Sequence, residues 1–191
     1  MSNARRLGAA SVVLFAATAV GNACALLFHR LLSQSLRTAY AQLVALLAVS
    51  NVLSNVTLGL NTYLTKAFSH EAELNGPGAV GARLKALLKP GLLGLSLLTL
   101  LLLGLCPWLA AYLKLPSALL AAMVMGIFAV GVVTLALRAA VQGLHHFGWL
   151  GLSLMGEGIG RVGGAWAWGS GVAGAFGAML LGQLAGIGLA L

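Results

Sequence analysis

Glu157 and Arg161 lie four residues apart in the segment LSLMGEGIGRVGGAWAW (152–168), whose other residues are apolar or small. Residues at this spacing are neighbours on one face of a helix. A charged side chain that faced lipid would cost about 2.5 to 3.5 kcal/mol or more. The pair is therefore predicted to face the protein interior. It is either an ion pair that locks helices together or a site where Arg161 binds an anion, with Glu157 as its partner or as a proton carrier.

A second group of polar residues lies in the apolar stretch SNVLSNVTLGLNTYLT (50–65). Five of them recur at helical spacing and three lie on the adjacent flank: Ser50, Ser54, Thr57, Asn61 and Thr65, then Asn51, Asn55 and Thr62. One or two such residues are typical of hydrogen bonds between helices, worth about 0.6 to 2 kcal/mol each. A continuous stripe favours a water-filled or ligand-filled cavity. The residues predicted to contact a substrate are Arg161, Glu157, Asn51, Asn55, Asn61 and Ser54.

The composition indicates that these residues are positioned by membrane helices. Of 191 residues, 60% are hydrophobic, and the charged residues are 11 Lys or Arg and three Asp or Glu. A soluble domain carries roughly a quarter charged residues. The basic residues fall between apolar runs and form no basic face with interleaved aromatics, so nucleic acid is not an expected partner. Cys24, Cys106 and the His145–His146 pair lack ligand spacing, so neither a metal nor a cofactor is predicted.

Six uncharged runs are each long enough to cross about 30 Å of hydrocarbon as a helix. The predicted fold class is all-α, a polytopic membrane protein whose single domain (1–191) is a six-transmembrane-helix bundle. The helices are expected at about 8–28, 38–65, 91–113, 118–137, 147–168 and 172–191. Small residues spaced by four in the last two runs predict close packing of helices five and six. The connection 66–89 is expected to be a solvated cytoplasmic loop or, in its second half, a basic amphipathic helix on the inner leaflet.

The distribution of basic residues predicts the orientation. With the N-terminus inside, seven basic residues lie on the cytoplasmic side and three on the other: Arg5, Arg6, Lys66, Arg83, Lys85, Lys89 and Arg138, against Arg30, Arg37 and Lys114. The excess favours a cytoplasmic N-terminus. The first run exceeds the h-region of a signal peptide, about 7 to 15 residues, and is read as a membrane helix.

The sequence does not favour an enzyme. A GxxxxGK[ST] nucleotide loop is absent from it. The stretch GSGVAGAFG (169–177) is superficially similar to the Gly-rich helix of intramembrane serine proteases, but the expected GxSG order is missing. Ser170 also lacks a histidine at membrane depth to act as its base. A membrane scaffold without transport activity is the alternative from another class.

Several stretches carry a resemblance to a known family. LRAAVQGLHHFGWLGLSLMGEGIGR (137–161) combines an Arg at a helix end, QG, a histidine pair, F, and a helix with Glu and Arg. Together with HRLLSQSLRTAYAQLVALLAVSNVL (29–53), CPWLAAYLKLPS (106–117) and GSGVAGAFGAMLLGQLAG (169–186), it resembles the N-terminal half of polysaccharide, or lipid-linked oligosaccharide, flippases. These belong to the multidrug and toxin extrusion superfamily. Ala41 departs from the Gly frequent in the family, and the outer loop lacks the family's usual acidic residue.

The resemblance implies a function and a partner. Family members have about twelve or more helices in two six-helix lobes with the cavity between them. This chain would supply one lobe, as a fragment, a truncated product or a protein that pairs with a second copy. It would flip an undecaprenyl-diphosphate-linked oligosaccharide across the bacterial cytoplasmic (inner) membrane, with Arg161 near the diphosphate and the polar stripe near the sugars. The expected partners are this lipid-linked saccharide, membrane lipids and a second lobe. A multidrug-type ion-coupled exporter lobe remains an alternative.

Overall fold

The structure, a computed structural model, describes residues 3–189, with the side chains of residues 3–7, 9, 38 and 56 left out. The described chain folds into six α-helices and contains no strand, which confirms the all-α class. A short 3-10 helix, Arg37–Ala39, follows the first α-helix. The α-helices are α1 (Asn3–Leu36), α2 (Tyr40–Asn75), α3 (Pro77–Tyr112), α4 (Ala118–Gly143), α5 (Phe147–Trp168) and α6 (Val172–Gly188).

Four of the helices are long and apolar enough to cross a membrane. They are the Ala10–Leu36 part of α1 and the whole of α2, α3 and α4. α5, which carries Glu157 and Arg161, is not among them, and α6 has 17 residues. At about 1.5 Å per residue, α6 extends for about 26 Å. Several long apolar helices are thus compatible with a membrane location, whereas the count of six spans stays a prediction.

The connection between the second and third runs differs from the expected loop. α2 continues to Asn75 and α3 begins at Pro77, so residues 66–89 form a helical hairpin. Gly76 makes the reversal with φ 82° and ψ 168°, a conformation that essentially only glycine adopts. Pro77 suits the first turn of α3, where its missing N–H is not needed. An ion pair between Glu71 and Arg83 joins the two helices below this turn.

The packing of the helices leaves a gap between the first two. α1 packs mainly on α5, and α2 packs mainly on α4, while α1 and α2 have little contact with each other. α6 packs against both α5 and α4, and so connects the α1–α5 pair of helices to the α2–α4 pair. A hydrophobic cluster closes the end where α1 joins α2, and its members include Phe28, Leu32, Leu43, Leu46, Val124 and Phe176. The gap therefore opens away from this cluster, along the middle of the helices.

α5 and α6 are the most closely packed pair of helices, and glycine makes this possible. A Cβ atom at Gly160 would lie 2.9 Å from the Gly182 Cα, and one at Gly164 would lie 2.7 Å from the Ala178 Cα. Real Cβ atoms essentially never approach other atoms this closely. The close packing predicted from the small-residue spacing is confirmed, and it holds the charged face of α5 in place.

Gly164→Ala should destabilise the bundle, because its new methyl group would meet the backbone of α6. Overpacking of this kind costs about 1 to 3 kcal/mol. Gly163→Ala is the matched control, since a Cβ at Gly163 has nothing within 4 Å. Thermal unfolding in detergent should show a lower midpoint for Gly164→Ala and an unchanged or higher midpoint for Gly163→Ala. Equal midpoints would contradict the packing described here.

Candidate functional site

Glu157 is shared by two arginines from different helices. Its Oε2 lies 2.7 Å from Nη1 of Arg138 on α4, and its Oε1 accepts a hydrogen bond from Nη2 of Arg161. The side chains of Glu157 and Arg138 are 14% and 17% exposed. Arg138, one of the seven basic residues predicted on the cytoplasmic side, lies near the end of α4, and its side chain points into the protein. We call Arg138, Glu157 and Arg161 the arginine–glutamate cluster.

Arg138 also ties α4 to α5 and α6. Its Nε donates to the Ser153 Oγ at 2.9 Å, and its Nη2 donates to the Ser153 backbone carbonyl at 3.0 Å. The fully buried Ser153 hydroxyl in turn donates to the Gly186 carbonyl at 2.7 Å. A Cβ at Gly186 would lie 2.8 Å from the Arg138 Nη2. Arg138, Ser153 and Glu157 thus form a structural network that joins three helices.

Arg161 occupies the more open end of the cluster. Its side chain is 30% exposed, and one of its nitrogens is held by Glu157. Its Nε is buried and has no hydrogen-bond partner within the described chain. Arg161 also lines a cavity of about 230 Å³ between α1 and α5, together with Ala17, Thr18, Gly21, Asn22, Ala25, Leu154, Glu157 and Gly158. Part of the Arg161 side chain thus faces open space, whereas its Nε does not.

A second cavity, of about 340 Å³, brings Arg161 together with the polar residues of α2. It lies between α1, α2, α4, α5 and α6 and is lined by Ala25, Phe28, His29, Val44, Leu47, Ala48, Ser50, Asn51, Ser54, Ile127, Arg161, Met179 and Gln183. We call it the central cavity. Three of the six residues predicted to contact substrate line it, namely Arg161, Asn51 and Ser54. Glu157 lines the neighbouring cavity, whereas Asn55 and Asn61 belong to neither lining.

The polar stripe of α2 does not hold the helices together. Thr57 and Thr62 donate to carbonyls of their own helix, those of Ser54 and Leu58, at 2.7 and 3.2 Å. Within the described chain, none of the eight stripe side chains makes a hydrogen bond to another helix. The inner half of the stripe instead faces cavities, since Ser50 and Ser54 line the central cavity. This arrangement favours the cavity interpretation over hydrogen bonds between helices.

Two polar residues of the central cavity were not singled out from the sequence. Gln183 of α6 is buried, and its Oε1 has no hydrogen-bond partner in the described part of the chain. Leaving a buried polar group unpaired costs about 1 to 3 kcal/mol. His29 of α1 contacts Tyr40 through its Nδ1, at 3.0 Å from the phenol oxygen. The lone glutamine in MLLGQLAG was the available signal, because a polar residue amid an apolar helix must face the interior.

Comparison with known proteins adds no family assignment. No protein-family model matches the chain, and neither a curated protein nor a solved structure is similar to it at a significant level. The resemblance to flippases therefore rests on the four sequence stretches quoted above.

Arg138→Gln should destabilise the protein more than Arg161→Gln. Removing one partner from a buried pair costs about 3 to 5 kcal/mol, and Arg138 also holds Ser153. Arg161 is more exposed, and Glu157 would keep Arg138 after its loss, so we expect a cost of about 1 kcal/mol or less there. The comparison is made by thermal unfolding of both variants in the same detergent. A larger loss for Arg161→Gln would contradict the assignment of Arg138 to the structural network.

Exchanging the two charges of α5, by Glu157→Arg with Arg161→Glu, should not restore stability. The exchange would preserve an isolated pair, because both residues stay one turn apart. Here a cation at position 157 would face Arg138, and like charges in a buried site repel. The exchanged variant should therefore unfold at a lower temperature than Arg161→Gln. Recovery to the wild-type midpoint would show that Arg138 is not a partner of Glu157.

Proposed function

We propose that this chain forms a six-span lobe of a transporter that moves a lipid-linked oligosaccharide across the membrane by alternating access. The observation that carries the proposal is the central cavity, where Arg161 meets the polar residues of α2 and α6 within otherwise apolar helices. Such groups are costly at membrane depth and typically mark a substrate pathway. The cavity offers both charge and hydrogen bonds to a ligand.

The charge of the cluster suits an anionic group. Arg138 and Arg161 carry two positive charges around the single negative charge of Glu157, so one positive charge is left uncompensated. Arg161 is the member that reaches both cavities. A guanidinium group binds phosphate oxygens through two parallel hydrogen bonds. A diphosphate linked to a lipid is a fitting anion for this position.

The polar side chains around the cavity suit a sugar. The Arg161 guanidinium can only donate hydrogen bonds, whereas the amides of Asn51 and Gln183 both donate and accept them. A hydroxyl group both accepts and donates, whereas a fully ionised phosphate only accepts. Ser50, Asn51 and Ser54 add further donors and acceptors on the α2 side. The cavity therefore matches a phosphorylated saccharide better than a purely apolar drug.

The gap between α1 and α2 provides a route into the cavity. Because these helices have little mutual contact, a second lobe or a second copy is needed to enclose the polar walls from lipid. Rocking of the two lobes would expose the ligand on alternate sides of the bacterial cytoplasmic membrane. The side chain of Arg138 points into the protein. Without Arg138, six basic residues are expected on the cytoplasmic side and three on the other, which still favours a cytoplasmic N-terminus.

The two alternatives predict different uses of the same residues. A scaffold without transport has no need for a cavity lined by Arg161, Asn51 and Ser54, so this lining favours a ligand-binding protein. A multidrug-type exporter would take apolar or cationic compounds, for which an excess positive charge is unfavourable. Both observations support an anionic, hydroxyl-bearing substrate.

Asn51→Ala should weaken binding of an undecaprenyl-diphosphate-linked oligosaccharide, and Arg161→Gln should weaken it more. Losing a hydrogen bond of about 1 kcal/mol lowers affinity about fivefold, and losing a charged one lowers it about tenfold or more. Asn55→Ala is the matched control, since Asn55 is exposed and outside the central lining. Titrations use the protein in nanodiscs. The proposal is rejected if all three variants bind like the wild type.

The orientation is tested by labelling single cysteines in intact cells. Gln34→Cys and Gly78→Cys lie at exposed positions near opposite ends of the helices, and Gly78 has open space around it. An impermeant thiol reagent should label the first position and not the second, after Cys24 and Cys106 are replaced by Ala. The reverse pattern of labelling would place the N-terminus outside.

A further inference from the structure

The cavity of about 230 Å³ between α1 and α5 continues the central cavity along α1. Ala25 and Arg161 line both cavities, so the two share a boundary at Arg161. The α1 residues of this cavity lie between positions 17 and 25, and those of the central cavity lie between positions 25 and 29. It is therefore the neighbour of the central cavity on the side of the N-terminus of α1. We call it the α1–α5 cavity.

The α1–α5 cavity is the wider part of the gap between α1 and α2. The central cavity is lined by both of these helices, whereas α1 and α5 are the described helices that line the α1–α5 cavity. The hydrophobic cluster that contains Phe28 and Leu32 closes the gap at the other end. A long ligand held at Arg161 therefore has room to extend towards the N-terminal half of α1.

α1 carries polar side chains along this gap. Thr18, Asn22 and His29 recur at spacings of four and seven residues, which places them on one face of the helix. Thr18 and Asn22 line the α1–α5 cavity, and His29 lines the central cavity. α1 thus contributes a polar stripe of its own, across the gap from the polar stripe of α2.

Asn22 is the member of this stripe whose hydrogen-bonding groups are unused. The Thr18 hydroxyl donates to the Leu14 carbonyl of its own helix at 2.8 Å, and His29 contacts Tyr40. The exposed Asn22 amide has no hydrogen-bond partner in the part of the chain that the structure describes. An amide in contact with lipid would lose its hydrogen bonds to water without replacing them. Asn22 is therefore expected to face a polar ligand or water.

The two cavities differ in charge, although they share Arg161. Glu157 lines the α1–α5 cavity and does not line the central cavity. A carboxylate repels a phosphate group, whereas its oxygens accept hydrogen bonds from hydroxyl groups. A phosphate is therefore better placed on the central side of Arg161, and an uncharged sugar is better placed on the α1–α5 side.

We propose that the α1–α5 cavity is a second saccharide subsite, in which Asn22 binds sugars beyond the first one. The diphosphate and the first sugar lie in the central cavity, and the following sugars extend along α1 towards its N-terminus. The stripe from Thr18 to His29 is about 16 Å long at about 1.5 Å per residue, which exceeds the span of a single sugar ring. This inference rests on the proposed function and adds where the further sugars are held.

Ligands of two lengths test the subsite. Titrations of the protein in nanodiscs use undecaprenyl-diphosphate-linked N-acetylglucosamine and the same lipid diphosphate carrying a tetrasaccharide of that sugar. The wild type should bind the tetrasaccharide form about tenfold more tightly, because each hydrogen bond gained by the extra sugars raises affinity about fivefold. Equal affinity for the two ligands would overturn the subsite and leave the proposed function standing. Binding of neither ligand would overturn both.

Asn22→Ala separates the subsite from the central cavity. Its affinity for the tetrasaccharide form should fall about fivefold, and its affinity for the single-sugar form should stay unchanged. Gln34→Ala is the matched control, since it removes an exposed amide of α1 outside both linings. Arg161→Gln should weaken both ligands, because the diphosphate is common to them. An equal effect of Asn22→Ala on both ligands, or no effect on either, would overturn the subsite.

Filling the α1–α5 cavity is an independent test. Gly21 lines this cavity, and a Cβ there meets nothing within 4 Å, so Gly21→Leu should keep the wild-type unfolding midpoint. Gly8→Leu, on the same helix and equally free of contacts, lies outside both linings. Gly21→Leu should lose the preference for the tetrasaccharide form and keep its affinity for the single-sugar form, whereas Gly8→Leu should bind both ligands like the wild type. A retained preference in Gly21→Leu would overturn the proposal.

Discussion

The fold around the candidate site depends on the sharing of one carboxylate by two arginines. Glu157 accepts hydrogen bonds from α4 through Arg138 and from its own helix through Arg161. A buried charge without a partner would be strongly unfavourable, so Glu157 and Arg138 require each other. The cluster therefore fixes how α5 is rotated relative to α4. That rotation decides which face of α5 is turned towards α1 and α2.

The two arginines have different tasks because they differ in their surroundings. Arg138 uses three nitrogens, on Ser153 and Glu157, and is tied through Ser153 to α6. Arg161 keeps a buried Nε without a partner and lies at the wall of two cavities. A network that satisfies the first arginine completely allows the second to remain available. Under the proposed function, Arg161 can thus serve a ligand without loss of the packing that Arg138 supports.

The sequence located the apolar part of each helix because that part is set by hydrophobic length, but α1 to α4 run up to 14 residues past the expected bounds. The bounds of α5 agree with the expected 147–168, and α4 begins at the expected Ala118. The stretch 66–89 was expected to be a loop or surface helix because it is polar. Polarity alone does not prevent helix formation, and the bend is confined to Gly76.

A contact between two side chains of the site could be predicted only where both residues lie on one helix. The i, i+4 spacing gave the contact between Glu157 and Arg161 directly. The contact with Arg138 depends on how α4 and α5 dock, which no local pattern encodes, and its position near a helix end suggested a surface charge. Gln183 faces the central cavity for the same tertiary reason. Asn55 and Asn61 belong to the polar stripe of α2 but do not line the central cavity, because the cavity contacts only part of that helix face.

The most direct test of the account is the effect of Gln183→Met on both stability and ligand binding. If the unpaired Oε1 is kept for a ligand, its replacement by an apolar side chain of similar size should raise the unfolding temperature of the ligand-free protein. The same variant should bind the undecaprenyl-diphosphate-linked oligosaccharide about fivefold more weakly, the effect of one lost hydrogen bond. Unchanged affinity together with unchanged stability would contradict the claim that the central cavity is a ligand site.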